Sequence, residues 1–494
     1  MRKKHIIIVG YNAEYIDYIL DKTDYVIVAL ATPHIKYDKT NKDRILHIVS
    51  TETEGLQHYE CDNFDRLRFN DLDWLSFARV ETEKLMRRFT NDYQRINYEY
   101  YKAVNFWDGI FVNYEIDAFI ATNLHHGYLH ESIPIAYCKR NKIPEYSIEE
   151  MFVDNNLCTY VGIMSYNRDK FIEINSKNPV YIDSMKRYYH KITTEKTGLY
   201  SFFYKISGFR GDIVRKEIMM EYRKNKSVYS NFARLSKALI NELLGALTLE
   251  LIFRKRRKPN YFKRLASYIG MRSALNWSKK YSIQPNYNSK YVYFALHFEP
   301  EASIMNRGTI DSQLVILKIL SESIPNDWTI YVKEHPVQAR INTRANVSLF
   351  ANNIDSYRNK FFYNEIINIP KVKLIDIDIS GQTLLANASA LVTINGTCAL
   401  EAMDTATPTL LFGAESTILR YCEGYFHINS LSDSKESLRK ILNGFRPQYK
   451  DVEHIMQKYL VLADIKTNEN YCHEVIEAIM NDCGKFKQVL VETK

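Results

Sequence analysis

Tyr291-Val292-Tyr293-Phe294-Ala295-Leu296-His297-Phe298-Glu299-Pro300-Glu301-Ala302-Ser303 sets six apolar residues against a polar, proline-bearing loop. An apolar run without alternation is the pattern of a strand buried on both faces, and such strands belong to parallel sheets covered by helices. The same unit recurs downstream, with strands expected over 328–333, 372–375, 391–394 and 409–412 and helices over 311–321, 354–368, 383–388 and 397–404. This alternation predicts a doubly wound α/β lobe. Upstream, His5-Ile6-Ile7-Ile8-Val9-Gly10, a helical pattern over 13–20, and strands over 25–30 and 118–122 predict another lobe of the same class. A polar, Arg-rich helical section near 74–105 reads as inserted into it. The expected organisation is therefore two Rossmann-like lobes, at 1–190 and 289–430, joined by a basic helical connector at 191–288 and closed by C-terminal helices at 431–494.

Length and composition agree with that division. At about 150 residues per domain, 494 residues make roughly three structural units. Hydrophobic residues are 46% and charged residues 25%, which excludes disordered, collagen-like and coiled-coil chains. A formal charge of +8 is too mild for a tail-dominated nucleic-acid binder. The seven cysteines are scattered and form no C-x-x-C pair, so they read as reduced core thiols. The apolar run after the basic start is too short for a signal peptide, and no stretch reaches the roughly 20 residues of a membrane span. A cytoplasmic location is expected.

Chemistry is expected in three loops at strand ends of the second lobe. One is His297 to Ser303, with Glu301 in it; one is Lys333-Glu334-His335-Pro336; one is Asn395-Gly396-Thr397, opening a helix that carries Glu401. In open α/β sheets these ends converge on one side. Gly396 lets a backbone approach a ligand, and Thr397 adds a hydroxyl and a helix N-terminal N–H, together a seat for phosphate. Glu401 lies one turn on, where a carboxylate can accept from ribose hydroxyls. Pro336 stiffens the turn after His335, whose ring N–H can donate to a phosphate or base. Each motif alone has a plainer reading: a His-Pro turn, a capped helix, a solvated glutamate. Their co-occurrence at successive strand ends favours a ligand site.

These residues resemble the capsule and surface-polysaccharide biosynthesis proteins of bacteria. The stretch 291–303 is similar to their strand-loop and Tyr331-Val332-Lys333-Glu334-His335-Pro336 to their K-x-H-P signature. Thr393-Ile394-Asn395-Gly396-Thr397-Cys398-Ala399-Leu400-Glu401-Ala402 resembles their T-x-[ST]-G-[ST]-x-x-x-E-A segment, with Pro408 and Gly413 following. The resemblance covers about residues 290–430. It implies a metal-independent GT-B glycosyltransferase with the donor nucleotide in the C-terminal lobe. Similar patterns in capsular Kdo transferases, polysialyltransferases and teichoic-acid glycerophosphotransferases imply a CMP- or CDP-activated donor. His335 and Thr397 would then contact the donor phosphate and Glu401 the ribose. Asn395 and Cys398 depart from the family pattern, and that departure bears on donor identity more than on fold.

The acceptor side offers His125, His126, His130 and Glu131 after the strand at 118–122. His126 and Glu131 are the candidates for the general base. His126 and His130, four apart on a helix, could begin a metal site, but spacing places no third ligand, and a structural role at a helix start is the plain alternative. Asp71-Leu72-Asp73 and Asp376-Ile377-Asp378 match a D-x-D pattern without its context and are discounted. The basic run 254–258, with Lys263 and Arg264 beyond it and an amphipathic stretch over 236–253, has three readings. It is a solvated helix end, a contact to anionic inner-leaflet lipid, or a hold on an anionic glycan. Nucleic acid is not expected as a partner, because no base-reading module accompanies it.

The expected function is transfer of a sugar from a nucleotide donor, CMP-Kdo or CMP-sialic acid being the leading type, to a growing capsular or surface polysaccharide at the inner face of the membrane. The alternatives are a CDP-alditol phosphotransferase of teichoic-like polymers and a non-catalytic scaffold in a polysaccharide assembly complex. The acceptor would be an oligosaccharide or glycolipid.

Overall fold

The computed structural model describes residues 3–10, 12–32, 43–51, 57–58, 72–87, 91–122, 129–153, 159–176, 261–300, 304, 310–335, 338, 354–396, 398–413, 417–463 and 470–492. The chain is mixed α/β, and the described residues form two sheets, the pair of Rossmann-like sheets expected of a GT-B chain. It divides into two compact units. One comprises Met1–Lys186, Glu301–Ser312 and Thr393–Lys494; the other comprises Arg187–Pro300 and Gln313–Val392.

The first unit is built on β1 (His5–Gly10), β2 (Val26–Thr32), β3 (Ile45–Thr51), β4 (Gln57–His58), β5 (Ala118–Thr122), β6 (Glu145–Val153), β7 (Thr159–Ser165) and β8 (Lys170–Ile172). Its helices are α1 (Ala13–Lys22), α2 (Ser76–Met86), α3 (Tyr93–Asn113) and α4 (Leu129–Arg140). Strands β3-β2-β1-β5-β6 run parallel. β1 is buried along nearly all its length, as an all-apolar central strand requires. Ile7 and Val9 face one core, with α2, α3 and α4, while Ile6 and Ile8 face the other, with α1. β1 ends on glycine because a Cβ at Gly10 would collide with the Thr122 side chain on β5.

The section near 74–105 is part of the core rather than an insertion. Tyr100, Ala103, Val104, Trp107 and Ile110 recur at helical spacing on α3 and are all buried against the sheet. Asp92 starts this helix by accepting from Arg95 N at 3.1 Å.

The second unit holds α5 (Tyr261–Ser278), β9 (Tyr291–Ala295), α6 (Gln313–Ser323), β10 (Thr329–Lys333), α7 (Ile354–Tyr357), α8 (Lys360–Asn368), β11 (Val372–Ile375), α9 (Gly381–Ala386) and β12 (Ala390–Thr393) up to Val392. β9 pairs in parallel with β10 and β12, and β10 with β11. The remaining elements are α10 (Cys398–Glu401), β13 (Thr409–Leu411), β14 (Tyr425–His427), α11 (Leu431–Leu442), α12 (Val452–Tyr459), β15 (Leu460–Ala463) and α13 (Tyr471–Glu492). The second sheet has the order β11-β10-β9-β12-β13-β14, the doubly wound order with its reversal between β9 and β12. The single helix expected over 354–368 is broken at Arg358-Asn359. Asn359 restarts it as the cap of α8, its side chain accepting from Phe362 N at 2.9 Å.

The segment expected as C-terminal helices also contains a strand. β15 pairs antiparallel with β7 in the first sheet, and α13 packs beside α1 with Tyr471, Cys472, Val475, Ile476, Ile479 and Cys483 in that core. Asp482 on α13 accepts from Tyr146 Oη at 2.9 Å, Arg168 at 2.5 Å and Lys170 at 3.0 Å. Those bonds hold its carboxyl below the usual range although burial alone would raise it.

Candidate functional site

The second unit brings together the loops that leave β9 and β10. These strands lie side by side, with Lys333 opposite Ala295, so both chains exit at the same edge. Leu296 N donates to Lys333 O at 3.0 Å and continues the ladder one residue past the strand. Beyond it, backbone ladder bonds give way to side chains. His297 N donates to Gln313 Oε1 at 2.9 Å, and Gln313 Nε2 donates to Glu299 Oε2 at 2.8 Å. Gln338, one short turn after His335, accepts from Glu299 N at 3.1 Å. Its own N–H reaches back to His335 O at 2.9 Å.

Arg358 stands at the centre of these loops and is wholly buried. Its Nε donates to Glu334 Oε2 at 3.0 Å, its Nη2 to the carbonyl of His297 at 2.6 Å, and its Nη1 to Glu299. Tyr363 Oη donates to the same Glu334 oxygen at 2.7 Å, and Glu334 Oε1 accepts the backbone N–H of His335 at 2.7 Å. The Phe362 ring lies under the guanidinium, 4.2 Å from its centre. A buried guanidinium needs paired carboxylates and filled donor positions, and this one has both.

The electrostatics follow from burial. The His297 imidazole is pushed down to about 4, first by burial and then by Arg358, so it is neutral at neutral pH. A neutral imidazole offers one donor and one acceptor nitrogen. Burial raises the Glu299 carboxyl, with Arg358 opposing. The Arg358 guanidinium is held above its usual range by Glu334 and Glu299, against the effect of burial. The Tyr363 hydroxyl is pushed well up, by burial first and then by Glu334.

Of the residues expected here from sequence, His297 and Lys333 are buried and His335 is half-buried at the rim of this cluster. Glu301 and Pro336 lie outside the described residues. Arg358 and Tyr363 had no motif to announce them. The one signal was a long expected helix carrying Arg-Asn in its middle, a cap residue where none should be needed.

In the first unit, the segment after β12 holds Asn395 and Gly396, both half-buried, and Thr397 lies outside the described residues. Gly396 N donates to Thr393 Oγ1 at 2.9 Å, so the turn is closed by its own strand-end hydroxyl. A Cβ on Gly413, after β13, would run into Ile394 and Asn395, which explains a glycine there. Glu401 is the last residue of the single-turn helix α10 and is half-buried. Below it, Tyr425 Oη donates to Ala399 O at 2.8 Å and fixes the helix to β14.

Glu131 sits in the first turn of α4 and is 2% exposed. His125 and His126 lie outside the described residues, as does the basic run 254–258. Among the described residues, no helix is long and apolar enough to cross a membrane.

No protein-family model and no curated protein matches the sequence. Among solved structures, the chain is similar to the UDP-GlcNAc 2-epimerase of Methanocaldococcus jannaschii at 12% identity, over 92% of this chain and 98% of that one, with a TM-score of 0.23. Thermosulfurimonas dismutans KpsC, a β Kdo 2,7 transferase, matches at 11% identity over 72% and 86%, with a TM-score of 0.23. The Neisseria meningitidis UDP-GlcNAc 2-epimerase bound to UDP-GlcNAc matches at 10% identity over 97% and 100%, with a TM-score of 0.23. At these scores none of the three bears on what this chain does.

Proposed function

We propose that the chain is a glycosyltransferase that moves a sugar from a nucleotide-activated donor to a growing capsular or surface polysaccharide, with a CMP-activated acidic sugar as the leading donor. The observation that carries the reading is the pair of loops after β9 and β10. The resemblance rests on their motifs, and they leave adjacent parallel strands at one edge, where open α/β sheets bind ligands. They present His335 at the rim of a cross-linked base. In this reading His335 and Thr397 hold the donor phosphate, Glu401 the ribose, and His297 and Lys333 line the same end.

The reaction forms a bond from an acceptor hydroxyl oxygen to the anomeric carbon and breaks the bond from that carbon to the donor phosphate oxygen. The hydroxyl proton goes to a base, for which Glu131 and His126 are the candidates, and the nucleotide leaves with the bonding electrons. No metal takes part in the proposal. It extends to peripheral contact with anionic lipid through 236–264, which flotation with vesicles of mixed neutral and anionic lipid tests.

Calorimetric titration of the protein and of His335→Ala with CMP, CDP, UDP, GDP and ADP is the deciding experiment. Selective binding of CMP or CDP, lost in the variant, is the expected result. Binding of UDP or GDP alone keeps the transferase and discards the cytidine donor. A phosphodiester product from a CDP-alditol would replace sugar transfer by alditol-phosphate transfer. A folded protein that binds none of the five refutes the enzyme and leaves a scaffold.

A further inference from the structure

We infer that Arg358 is a positioning residue, a buried guanidinium whose task is to fix the backbone of His335 relative to His297. The inference rests on the reading of His335 as a ligand contact, and it adds a residue which no motif marks. The geometry points to it directly. Arg358 lies 59 residues from Glu299 and 24 from Glu334, and comes from the break between α7 and α8, a third element apart from both loops. One planar fork holds the His297 carbonyl, the Glu299 carboxylate and the Glu334 carboxylate together. Glu334 passes the constraint on, because its other oxygen takes the N–H of His335. The position of His335 is therefore set by a charge that never touches it.

Arg358 has no surface of its own, so it contacts no ligand; whatever it does is done through the loops. A structural role alone would need only volume and charge balance. Here every nitrogen is aimed at a different part of the two loops, and a second tie, Gln338 to Glu299, runs between the same loops without using the guanidinium. The fold can thus survive a weakened fork while the aim of His335 changes. A lysine in this place keeps the charge but is a point donor on a flexible stem and cannot serve three directions at fixed angles.

The test is His335 itself, observed by NMR in the full chain labelled with 15N-histidine and assigned through His335→Gln. Arg358→Lys is expected to move the His335 ring resonances and its titration midpoint, and to weaken binding of CMP by at least about tenfold, with a fold retained by far-UV circular dichroism. A misplacement of about 1 Å is enough to cost about a hundredfold in a positioned reaction, so turnover falls more than affinity. Tyr363→Phe removes only the hydroxyl donated to Glu334 and is expected to shift His335 in the same direction by less. Should Arg358→Lys fail to fold, Tyr363→Phe decides the matter. A folded Arg358→Lys or Tyr363→Phe with His335 resonances and midpoint unchanged overturns the inference. If the unmodified protein binds no nucleotide, the proposed function fails, and the His335 resonances still decide the role of Arg358.

Discussion

Glu334 and Glu299 both pair with Arg358, yet replacing them by glutamine should have unequal effects. Glu334 uses both oxygens: Oε2 accepts from Arg358 Nε at 3.0 Å and Tyr363 Oη at 2.7 Å, and Oε1 accepts from His335 N at 2.7 Å. A carboxamide has one acceptor oxygen and one donor nitrogen. Whichever way the amide of Glu334→Gln is turned, a donor faces a donor in a buried place. Glu299 is left to balance the guanidinium, so the cost is that of a buried group left unsatisfied against a charged donor, at the upper end of about 1–3 kcal/mol. At Glu299 the bonds from Arg358 and Gln313 converge on the same oxygen, Oε2. One amide oxygen can take both, Glu334 still balances the guanidinium, and burial has already made the Glu299 charge less favourable. Glu299→Gln should therefore cost about 1 kcal/mol, near the net worth of one hydrogen bond. Hydrogen–deuterium exchange over 291–300 and 329–338 reads the local opening free energy in both variants. Equal losses, or a larger loss in Glu299→Gln, would refute the reasoning.

Three further expectations are open to measurement. His297 is held neutral down to about pH 4, whereas in the unfolded chain it takes up a proton near 6.5. Its folded pKa is depressed, so stability is full above 6.5 and falls as pH drops from 6.5 towards 4, by at most roughly 1.4 kcal/mol per pH unit; urea midpoints should show that slope, and His297→Gln should lose it. Gly413→Ala places a methyl against Ile394 and Asn395, so nucleotide affinity should drop at least about tenfold while the melting temperature moves by only a few degrees. Trp107→Ala empties a fully buried site between α3 and the first sheet and should cost about 3–5 kcal/mol in chemical denaturation, leaving nucleotide affinity of the folded fraction unchanged.

Much of the fold could be read from runs of apolar residues. β1, β2, β5, β9, β10, β12 and β13 fall on largely apolar stretches, because a central parallel strand is buried on both faces and must be apolar on both. Where burial is one-sided or contributed from far away, the sequence was mute. Leu460-Val461-Leu462-Ala463 is as apolar as β12, but it sits between helical patterns, and only its pairing with β7, about 300 residues earlier, makes it a strand. α3 looked inserted because Arg, Asn and Tyr fill its outer face and obscure the buried stripe. At the candidate site, the places of Lys333 and His335 at the end of β10 were legible because a strand end is marked by its own local sequence. Arg358 was not, since a buried arginine is specified by partners 24 and 59 residues away, and those leave no mark on its own neighbourhood.

The antiparallel closure of the first sheet by β15, with α13 over one face, has a consequence for synthesis. β7 pairs with β15 across Gly162 and Leu460. At about 5–20 residues per second on the ribosome, some 15–60 seconds pass between the two. During that interval the 159–162 edge of β7 lacks β15, and the part of the face beside α1 that receives Val475, Ile476 and Ile479 is uncovered. Nascent chains should be most prone to chaperone capture and aggregation in that window. A premature stop before 460 should leave an insoluble product, even though most of the first sheet and all of the second unit have been translated.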